Sequence, residues 1–368
     1  MAKFAARLTG DKGRFSKALV GVSAAAVGLA SCGVASSLHK GQQVGGSGLI
    51  YAFNKGNNTV SVIDSSTGAV KLAQNVPLNA YGLYPSNQYG LGSGYLLLPE
   101  PTKVVIVKRS NLKPVATIKM SAAKGIWAAM TPNGKTGIVV GRSNDQINWV
   151  DMNPSSREFG VVTKSVTVPG KAGLCDVSLS PNGKYAYIPD LYTSQIQVVS
   201  TSTGQTVYQA SVPGLSKPFM GTVSWNGKIW AVESSAGQGS VWYFNLANPT
   251  HPTLIKSVSA TSGLGLGPHT DEFSRNGKYD FVLDRKSSQV SVVNTSNFSV
   301  VKNINLPKGG KPRVGAFSFH GHTLFVSLEG VNSVAAVNTS SLTLEKLIKV
   351  GPTPVGVAPS NYSWIQGG

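Results

Sequence analysis

Several carboxylates of the sequence stand at one recurring place, directly before a short polar turn that joins two apolar strands. A carboxylate at such a place can bind a cation, or a ligand that carries hydroxyl or amine groups. Asp also occurs in turns for its local hydrogen bonds, but Glu does not, so turn chemistry and ligand binding both stay open. The carboxylates are Glu100, Asp190, Glu233, Asp284 and Glu329, and Arg142 holds the same place in a further copy of the pattern.

His269 and Cys175 could support metal binding or nucleophilic chemistry. His269 opens an apolar stretch after the glycine-rich residues 263–267, and an imidazole near carboxylates can bind a metal or act as a general base. The alternative is a hydrogen-bonded structural histidine. A Cys/His pair could bind copper or act as a nucleophile, whereas a buried thiol would be inert. Arg313 opens a similar stretch and would pair with an anionic part of a ligand.

A repeated hairpin must position these side chains. Leu49–Phe53 and Thr59–Ile63 alternate apolar and polar residues, which predicts two half-buried strands, and the Gly/Asn residues at 55–58 suit the turn between them. The second strand of the hairpin recurs at intervals of 43 to 49 residues, and such a period with several strands per unit is typical of a propeller. Its copies begin at Thr59, Lys103, Gln146, Gln195, Ser240, Gln289 and Ser333.

Asn-Gly turns and the chain ends complete the prediction of the fold. An apolar strand precedes each Asn-Gly turn, as at Asn182-Gly183, so each unit reads as a four-stranded antiparallel meander. The first unit lacks an inner strand, and the chain finishes with a lone inner strand at Pro354–Ala358. Residues 48–368 are therefore predicted to form an all-β, seven-bladed β-propeller whose C-terminal strand closes the first blade.

The meander predicts where the candidate residues lie. Loops that enter the inner strands and loops that join the two middle strands lie on one face, over the mouth of the central channel. Both sets of candidate residues belong to these loops. We expect them to surround that mouth and to form a ligand site there, with a metal ion as a possible cofactor.

The N-terminal segment predicts export and a lipid anchor. Basic residues precede the apolar segment Ala18–Ala30, which is too short to span a bilayer. Leu29-Ala30-Ser31-Cys32 resembles the lipobox of bacterial lipoproteins, which implies a signal peptide over 1–31 and lipidation of Cys32. Residues 32–47 would be a flexible tether. The protein would be periplasmic or on the cell surface, at the outer membrane in a Gram-negative cell.

Charge and missing motifs narrow the partners and the chemistry. The chain carries 33 Lys and Arg but only 15 Asp and Glu, a net charge of +18. For an exported protein this favours an envelope protein or an anionic cell-surface component over nucleic acid, and an acidic habitat is a further interpretation. The sequence contains no C-x-x-C-H motif, which excludes c-type haem attachment. It also lacks the G-x-S-x-G, H-E-x-x-H, P-loop and dinucleotide-binding motifs.

Three stretches resemble YVTN-type repeats of the YncE-like and surface-layer propellers. They are residues 51–68, Pro354–Ala358 and Ser180–Lys184. That family is related to the haem-d1 domain of cytochrome cd1 nitrite reductase, and in the haem-d1 branch histidines over the channel serve the haem. His269 is the one candidate for that role on the mouth face of this sequence.

The resemblance implies the propeller fold but leaves the activity open, because the family holds both binding proteins and enzymes. We expect a ligand-binding or protein-interaction scaffold of the cell envelope. The alternative is a propeller enzyme, either a lyase or hydrolase or a metal- or haem-d1-related oxidoreductase, that uses His269 and the rim carboxylates. A purely structural envelope protein is a third interpretation.

Overall fold

The computed structural model describes residues 48–75, 94–100, 102–120 and 126–360. The predicted signal peptide over 1–31, the lipidation site Cys32 and the tether over 32–47 lie outside the described residues. No helix in the described ranges is long and apolar enough to cross a membrane.

The described residues form seven sheets, numbered here as blades 1 to 7 in chain order, with antiparallel pairing. Blade 1, from its inner strand outward, is β27 (Pro354–Pro359), β1 (Leu49–Asn54), β2 (Thr59–Asp64) and β3 (Val70–Asn75). Blade 2 contributes β4 (Tyr95–Pro99), β5 (Lys103–Lys108) and β6 (Pro114–Lys119) in the described ranges. Blade 3 is β7 (Ile126–Met130), β8 (Thr136–Gly141), β9 (Gln146–Asp151) and β10 (Val162–Thr167).

Blades 4 to 7 repeat the same four-stranded order. Blade 4 is β11 (Ser178–Leu179), β12 (Tyr185–Asp190), β13 (Gln195–Ser200) and β14 (Thr206–Ser211). Blade 5 is β15 (Pro218–Val223), β16 (Ile229–Ser234), β17 (Ser240–Asn245) and β18 (Thr253–Ser259), followed by a 3-10 turn at Ala260–Ser262. Blade 6 is β19 (Pro268–Phe273), β20 (Tyr279–Asp284), β21 (Gln289–Asn294) and β22 (Ser299–Asn305). Blade 7 is β23 (Pro312–Phe317), β24 (Thr323–Leu328), β25 (Ser333–Asn338) and β26 (Thr343–Lys349).

The C-terminal strand closes the ring, which confirms the predicted seven-bladed propeller. β27 pairs antiparallel with β1, so that Tyr51 faces Ala358 and Ala52 faces Val357. A second contact joins the two ends of the chain, since the Lys346 ammonium donates to the Thr67 carbonyl at 2.8 Å. The first and the last described strands are thereby held in one sheet.

The core lies between adjacent blades rather than at the centre of the ring. The two middle strands of a blade are buried on both faces, whereas an outer strand such as β10 alternates between half-buried and exposed residues. Tyr51 and Phe53 of blade 1 pack with Leu96 and Leu98 of blade 2 in one such layer. Middle strands therefore have nearly continuous apolar runs, as expected for strands covered on both sides.

The Asn-Gly turns lie at the opposite face from the channel mouth and share one hydrogen-bond pattern. At Ser180–Tyr185 the Asn182 side-chain oxygen accepts from the Ser180 hydroxyl at 2.8 Å and from the Lys184 amide at 3.0 Å. Gly183 has a φ of +69°, the left-handed conformation that glycine adopts without steric cost. The hydrogen bonds of this turn fix the register between each inner strand, which lines the channel, and the strand that follows it.

Candidate functional site

Matching positions of neighbouring inner strands carry four different side chains, of which Val355 is buried in the apolar layer between blades 1 and 2. Each stands directly after the proline that opens its strand: Phe219 in β15, His269 in β19, Arg313 in β23 and Val355 in β27. A register shift follows each of the first three prolines. A shift of this kind re-aims a side chain at the end of a strand.

His269 lies against Phe219 in a desolvated position. The two rings have centroids 5.6 Å apart and an interplanar angle of 31°. The His269 Nε2 atom is buried and has no hydrogen-bond partner in the described residues. Burial, together with the neighbouring Arg285, lowers the pKa of His269 to about 4, and Glu329 opposes the shift. The imidazole is therefore neutral at pH 7.

Two guanidinium groups share one carboxylate beside this histidine. Arg285 and Arg313 both donate to Oε2 of Glu329, at 2.7 Å and 3.0 Å. Burial raises the pKa of Glu329, but both arginines outweigh burial and hold it below its usual range. Because one carboxylate contacts two guanidinium groups, these three side chains together carry a net positive charge. The group consisting of Phe219, His269, Arg285, Arg313 and Glu329 is called the mouth cluster below.

Asp190 and Asp284 do not face the mouth. Both carboxyl groups are fully buried at the ends of β12 and β20. Each accepts from the adjacent middle strand, Asp190 from Gln197 at 2.7 Å and Asp284 from Ser291 at 2.5 Å. Burial raises the pKa of each to about 7, against those hydrogen bonds. At the same position in blade 1 the Asn54 amide donates to the Ser61 hydroxyl at 3.0 Å, so this position joins the two middle strands of a blade.

The remaining candidate acids occupy three different places. Glu100 is 2% exposed and pairs with Lys103 at 3.2 Å. Glu233 lies one residue before the end of β16 and is fully buried. Glu329, like Arg142, lies one residue beyond the end of its strand. Glu100 also lies one residue beyond the end of its strand. The place along the strand therefore does not by itself decide exposure, and only Glu329 of the five sequence candidates is partly exposed.

Cys175 lies in a different environment from His269. It precedes β11 in blade 4, and blade 5 with Phe219 stands between the two residues. Burial raises the pKa of the thiol to about 12, with Arg142 opposing and Asp176 and Asp190 adding to the shift. The described residues contain no group of three or more His, Cys, Asp or Glu side chains arranged to hold a metal ion.

Two members of the mouth cluster, Phe219 and Arg285, and the residues that line the channel were not predicted from the sequence. Phe219 was recoverable, because Pro218-Phe219 matches Pro268-His269 in position. Arg285 follows a turn acid, and nothing local distinguishes it from a solvated surface residue. The inner strands enclose a cavity of about 70 Å³, into which Asp176 and Glu272 also project from blades 4 and 6.

The described channel does not fit haem d1. Sites for ligands far smaller than a tetrapyrrole already occupy some 300–1,000 Å³, and the channel cavity holds about 70 Å³. The single histidine at the mouth stacks on Phe219 rather than standing over an open space.

Comparisons by sequence identify no relative, whereas solved structures share the fold. No family model matches the sequence, and no curated protein matches it significantly. A functionally unknown protein from Desulfotomaculum acetoxidans superposes with a TM-score of 0.68 at 17% identity, over 86% of this chain and 100% of that chain.

Two further structures carry named activities. The periplasmic gluconolactonase of Pseudomonas aeruginosa has a TM-score of 0.68 at 16% identity, over 84% of this chain and 97% of its own. The dihydro-haem d1 dehydrogenase NirN has a TM-score of 0.62 at 14% identity, over 85% of this chain and 75% of its own. Likeness at this level of identity shows a shared propeller fold and leaves the function to the site.

Proposed function

We propose that the protein is an exported, lipid-anchored β-propeller that binds a small hydroxylated organic acid at the channel mouth. The observation that carries the proposal is the mouth cluster, in which Arg285 and Arg313 converge on the single carboxylate of Glu329 beside a neutral histidine. A rim built mainly of carboxylates would favour a cationic ligand. Since most of the candidate carboxylates are buried inside the blades, an anionic ligand suits this mouth better.

Each member of the mouth cluster has a role in the proposed complex. A guanidinium group donates two parallel hydrogen bonds to a carboxylate, which gives both affinity and orientation. Glu329 holds both guanidinium groups in place before a ligand arrives. The Nε2 atom of His269 would exchange a hydrogen bond with a ligand hydroxyl, and the Phe219 ring would cover an apolar edge.

The proposal includes export of the protein and a lipid anchor at Cys32. The lipobox-like Leu29-Ala30-Ser31-Cys32 supports lipidation of Cys32, and the YVTN-like repeats suit an envelope protein. Without the predicted signal peptide the chain keeps 28 Lys and Arg and 14 Asp and Glu, and this net charge of +14 would hold the propeller close to an anionic cell-surface component or an acidic envelope protein.

A propeller hydrolase acting on a lactone is the second candidate. His269 is neutral at pH 7 and beside two arginines, so it could take a proton from a water molecule while a guanidinium stabilises the developing oxyanion. Hydrolysis of a sugar lactone yields the carboxylate that the arginines match. The Pseudomonas structure described as a gluconolactonase has the same fold.

Calorimetric titration of the full-length protein with D-gluconate, with D-glucose as the neutral comparison, tests the proposal. We expect saturable binding of gluconate alone, and a loss of about tenfold or more for Arg313→Gln, because one charge-assisted contact is removed. Arg157→Gln, at an exposed position away from the mouth, is the matched control and should bind normally.

Equal binding by Arg313→Gln and the parent, or no binding of any organic acid tried, would contradict the proposal. Hydrolysis of δ-gluconolactone above the spontaneous rate, lost in His269→Gln but kept in the exposed variant His251→Gln, would move the hydrolase ahead of the binding protein.

A further inference from the structure

About half of the acidic side chains of this protein lie in its interior. The chain has 15 Asp and Glu residues. Seven of them are at most 2% exposed: Glu100, Asp176, Asp190, Glu233, Asp271, Asp280 and Asp284. An ionised carboxylate is costly to bury unless a cation or several donors compensate it.

Three of these acids meet in the layer between blades 5 and 6. Glu233 projects from β16, Asp271 from β19 and Asp280 from β20, next to the apolar layer that contains Ala231, Phe273 and Val282. The Asp271 carboxyl group lies within hydrogen-bonding contact of both Glu233 and Asp280. Tyr243 of β17 completes the group and donates to Oδ2 of Asp280 at 2.7 Å. These four side chains are called the carboxyl cluster below.

Hydrogen bonds between the carboxyl groups of this cluster require protons. Carboxylate oxygens only accept hydrogen bonds, so two carboxyl groups can bond only when one carries a proton. Contacts of Asp271 with both neighbours therefore need two protons shared among three carboxyl groups. Without such protons both oxygens of Glu233 and of Asp271 are buried and have no donor in the described part of the chain.

The surroundings supply no cation to replace those protons. In the described residues none of the three carboxyl groups forms an ion pair with Lys, Arg or His. β15 and β21, which flank the cluster, contain no charged residue. Lys256 of β18 reaches outward to the Asn297 carbonyl at 3.4 Å. The other titratable groups that act on the cluster are Asp176 from blade 4 and Glu272 from β19, both of which are acids.

The pKa values of the cluster follow the same physical causes. Burial raises the pKa of Asp271 well above its usual range, and Asp280 and Glu233 raise it further. Burial likewise raises the pKa of Glu233, against the hydrogen bond from Asp271. Burial raises the pKa of Asp280 to about 6, against hydrogen bonds from Asp271 and Tyr243.

We propose that the carboxyl cluster is a proton-dependent clasp, which holds blades 5 and 6 together while it is protonated and loosens when it is deprotonated. The folded propeller should therefore be most stable in an acidic medium. The composition agrees, because a chain with few surface acids gains little additional charge when the pH falls.

The sign of the effect on stability follows from linkage. A carboxyl group with a raised pKa in the folded state binds more protons folded than unfolded, so its contribution is full below pH 4 and is lost as the pH rises through the folded value. For Asp280 that loss runs from about pH 4 and is nearly complete a little above pH 6. His269 and Glu329 act in the opposite direction, because their pKa values are lowered in the folded protein, but both lie at the mouth.

Thermal unfolding of the full-length protein from pH 4 to pH 9 tests the clasp. We expect the midpoint to fall as the pH rises above 4, and to keep falling above pH 6 because the pKa values of Asp271 and Glu233 are raised well above their usual range. The slope of the unfolding free energy against pH gives the number of protons that the protein releases on unfolding. Asp271→Asn cannot ionise at this position, so near neutrality its slope should correspond to about one proton fewer per molecule than the slope of the parent. Glu158→Gln, an exposed acid in blade 3, is the matched control and should keep the parental slope.

A midpoint that stays level or rises between pH 4 and pH 8 would overturn the clasp, as would a parental slope in Asp271→Asn. Hydrogen exchange of the parent protein, corrected for the intrinsic pH dependence, decides the matter if the variant does not fold. Protection should then be lost first in β16, β17, β19 and β20 as the pH rises. Uniform loss over all blades, or no loss, would contradict the proposal.

Discussion

Burial decides the chemistry of individual side chains in this protein more than sequence position does. Asp284 and Glu329 both follow a middle strand, yet one is buried with its pKa raised to about 7 and the other is ionised between two arginines. Cys175 shows the same rule, because its buried thiol has a pKa of about 12. A thiolate is the reactive species in alkylation, so Cys175 should be inert in the folded protein.

Alkylation of Cys175 by iodoacetamide at pH 8 should accordingly be slower by at least about tenfold in the folded protein than in urea, since an exposed cysteine has a pKa near 8.5. Mass spectrometry of the peptide that contains Cys175 measures the rate and leaves Cys32 out of the comparison. Equal rates with and without urea would show that the thiol is accessible and ionisable in the fold.

Neighbouring blades are joined by a lysine of each of several outer strands. Lys164, Lys256 and Lys346 each donate to a backbone carbonyl in the outer turn of the following blade, at Thr203, Asn297 and Thr67. In blades 4 and 1 the lysine stem crosses a glycine of that turn, so that a methyl group at Gly204 would lie 2.6 Å from Lys164 Cε. These contacts link adjacent blades at the outer edge of the propeller.

Gly204→Ala should therefore destabilise the protein by more than the cost of backbone strain alone. A left-handed alanine costs about 1–2 kcal/mol, and displacement of Lys164 should add about 1 kcal/mol. Gly237→Ala is the matched control, since Gly237 also has a positive φ but has open space around it. Urea unfolding compares the two variants, and equal losses would show that the lysine contact contributes nothing.

At the scale of the whole molecule, closure of the ring couples the two ends of the chain. β27 contributes Val357, which is fully buried, to the apolar layer between blades 7 and 1. Among the described strand pairs, the pairing of β1 with β27 within blade 1 has the largest sequence separation, since Ile50 pairs with Pro359. Propellers close their sheets in this way to remove open edges.

Val357→Asp should open the ring, because an unpaired carboxylate would enter an apolar layer at a cost of several kcal/mol. Val301→Asp on the outer strand β22 is the control, since Val301 is 45% exposed. Limited proteolysis should cut the Val357 variant within blade 1 and leave the control intact. Comparable resistance in both variants would show that β27 is dispensable for closure.

Local patterns in the sequence were sufficient for the architecture of the protein. Alternating strands, Asn-Gly turns and a lone inner strand at Pro354–Ala358 predicted seven four-stranded blades and their closure. These features act over a few residues, through side-chain alternation and turn conformation. The equivalence of Phe219, His269 and Arg313 was likewise present in the spacing of their prolines.

The tertiary structure alone decided which acids are buried and which cations meet them. Glu233 and Glu329 lie at similar places in the repeat, but Glu233 stands within β16 and is fully buried, whereas Glu329 stands beyond the end of β24 and meets two arginines. Arg285 reaches Glu329 across 44 residues of sequence, and Asp271 meets Glu233 from the next blade. Desolvation and pairing between distant residues depend on how blades pack, and no local pattern encodes them.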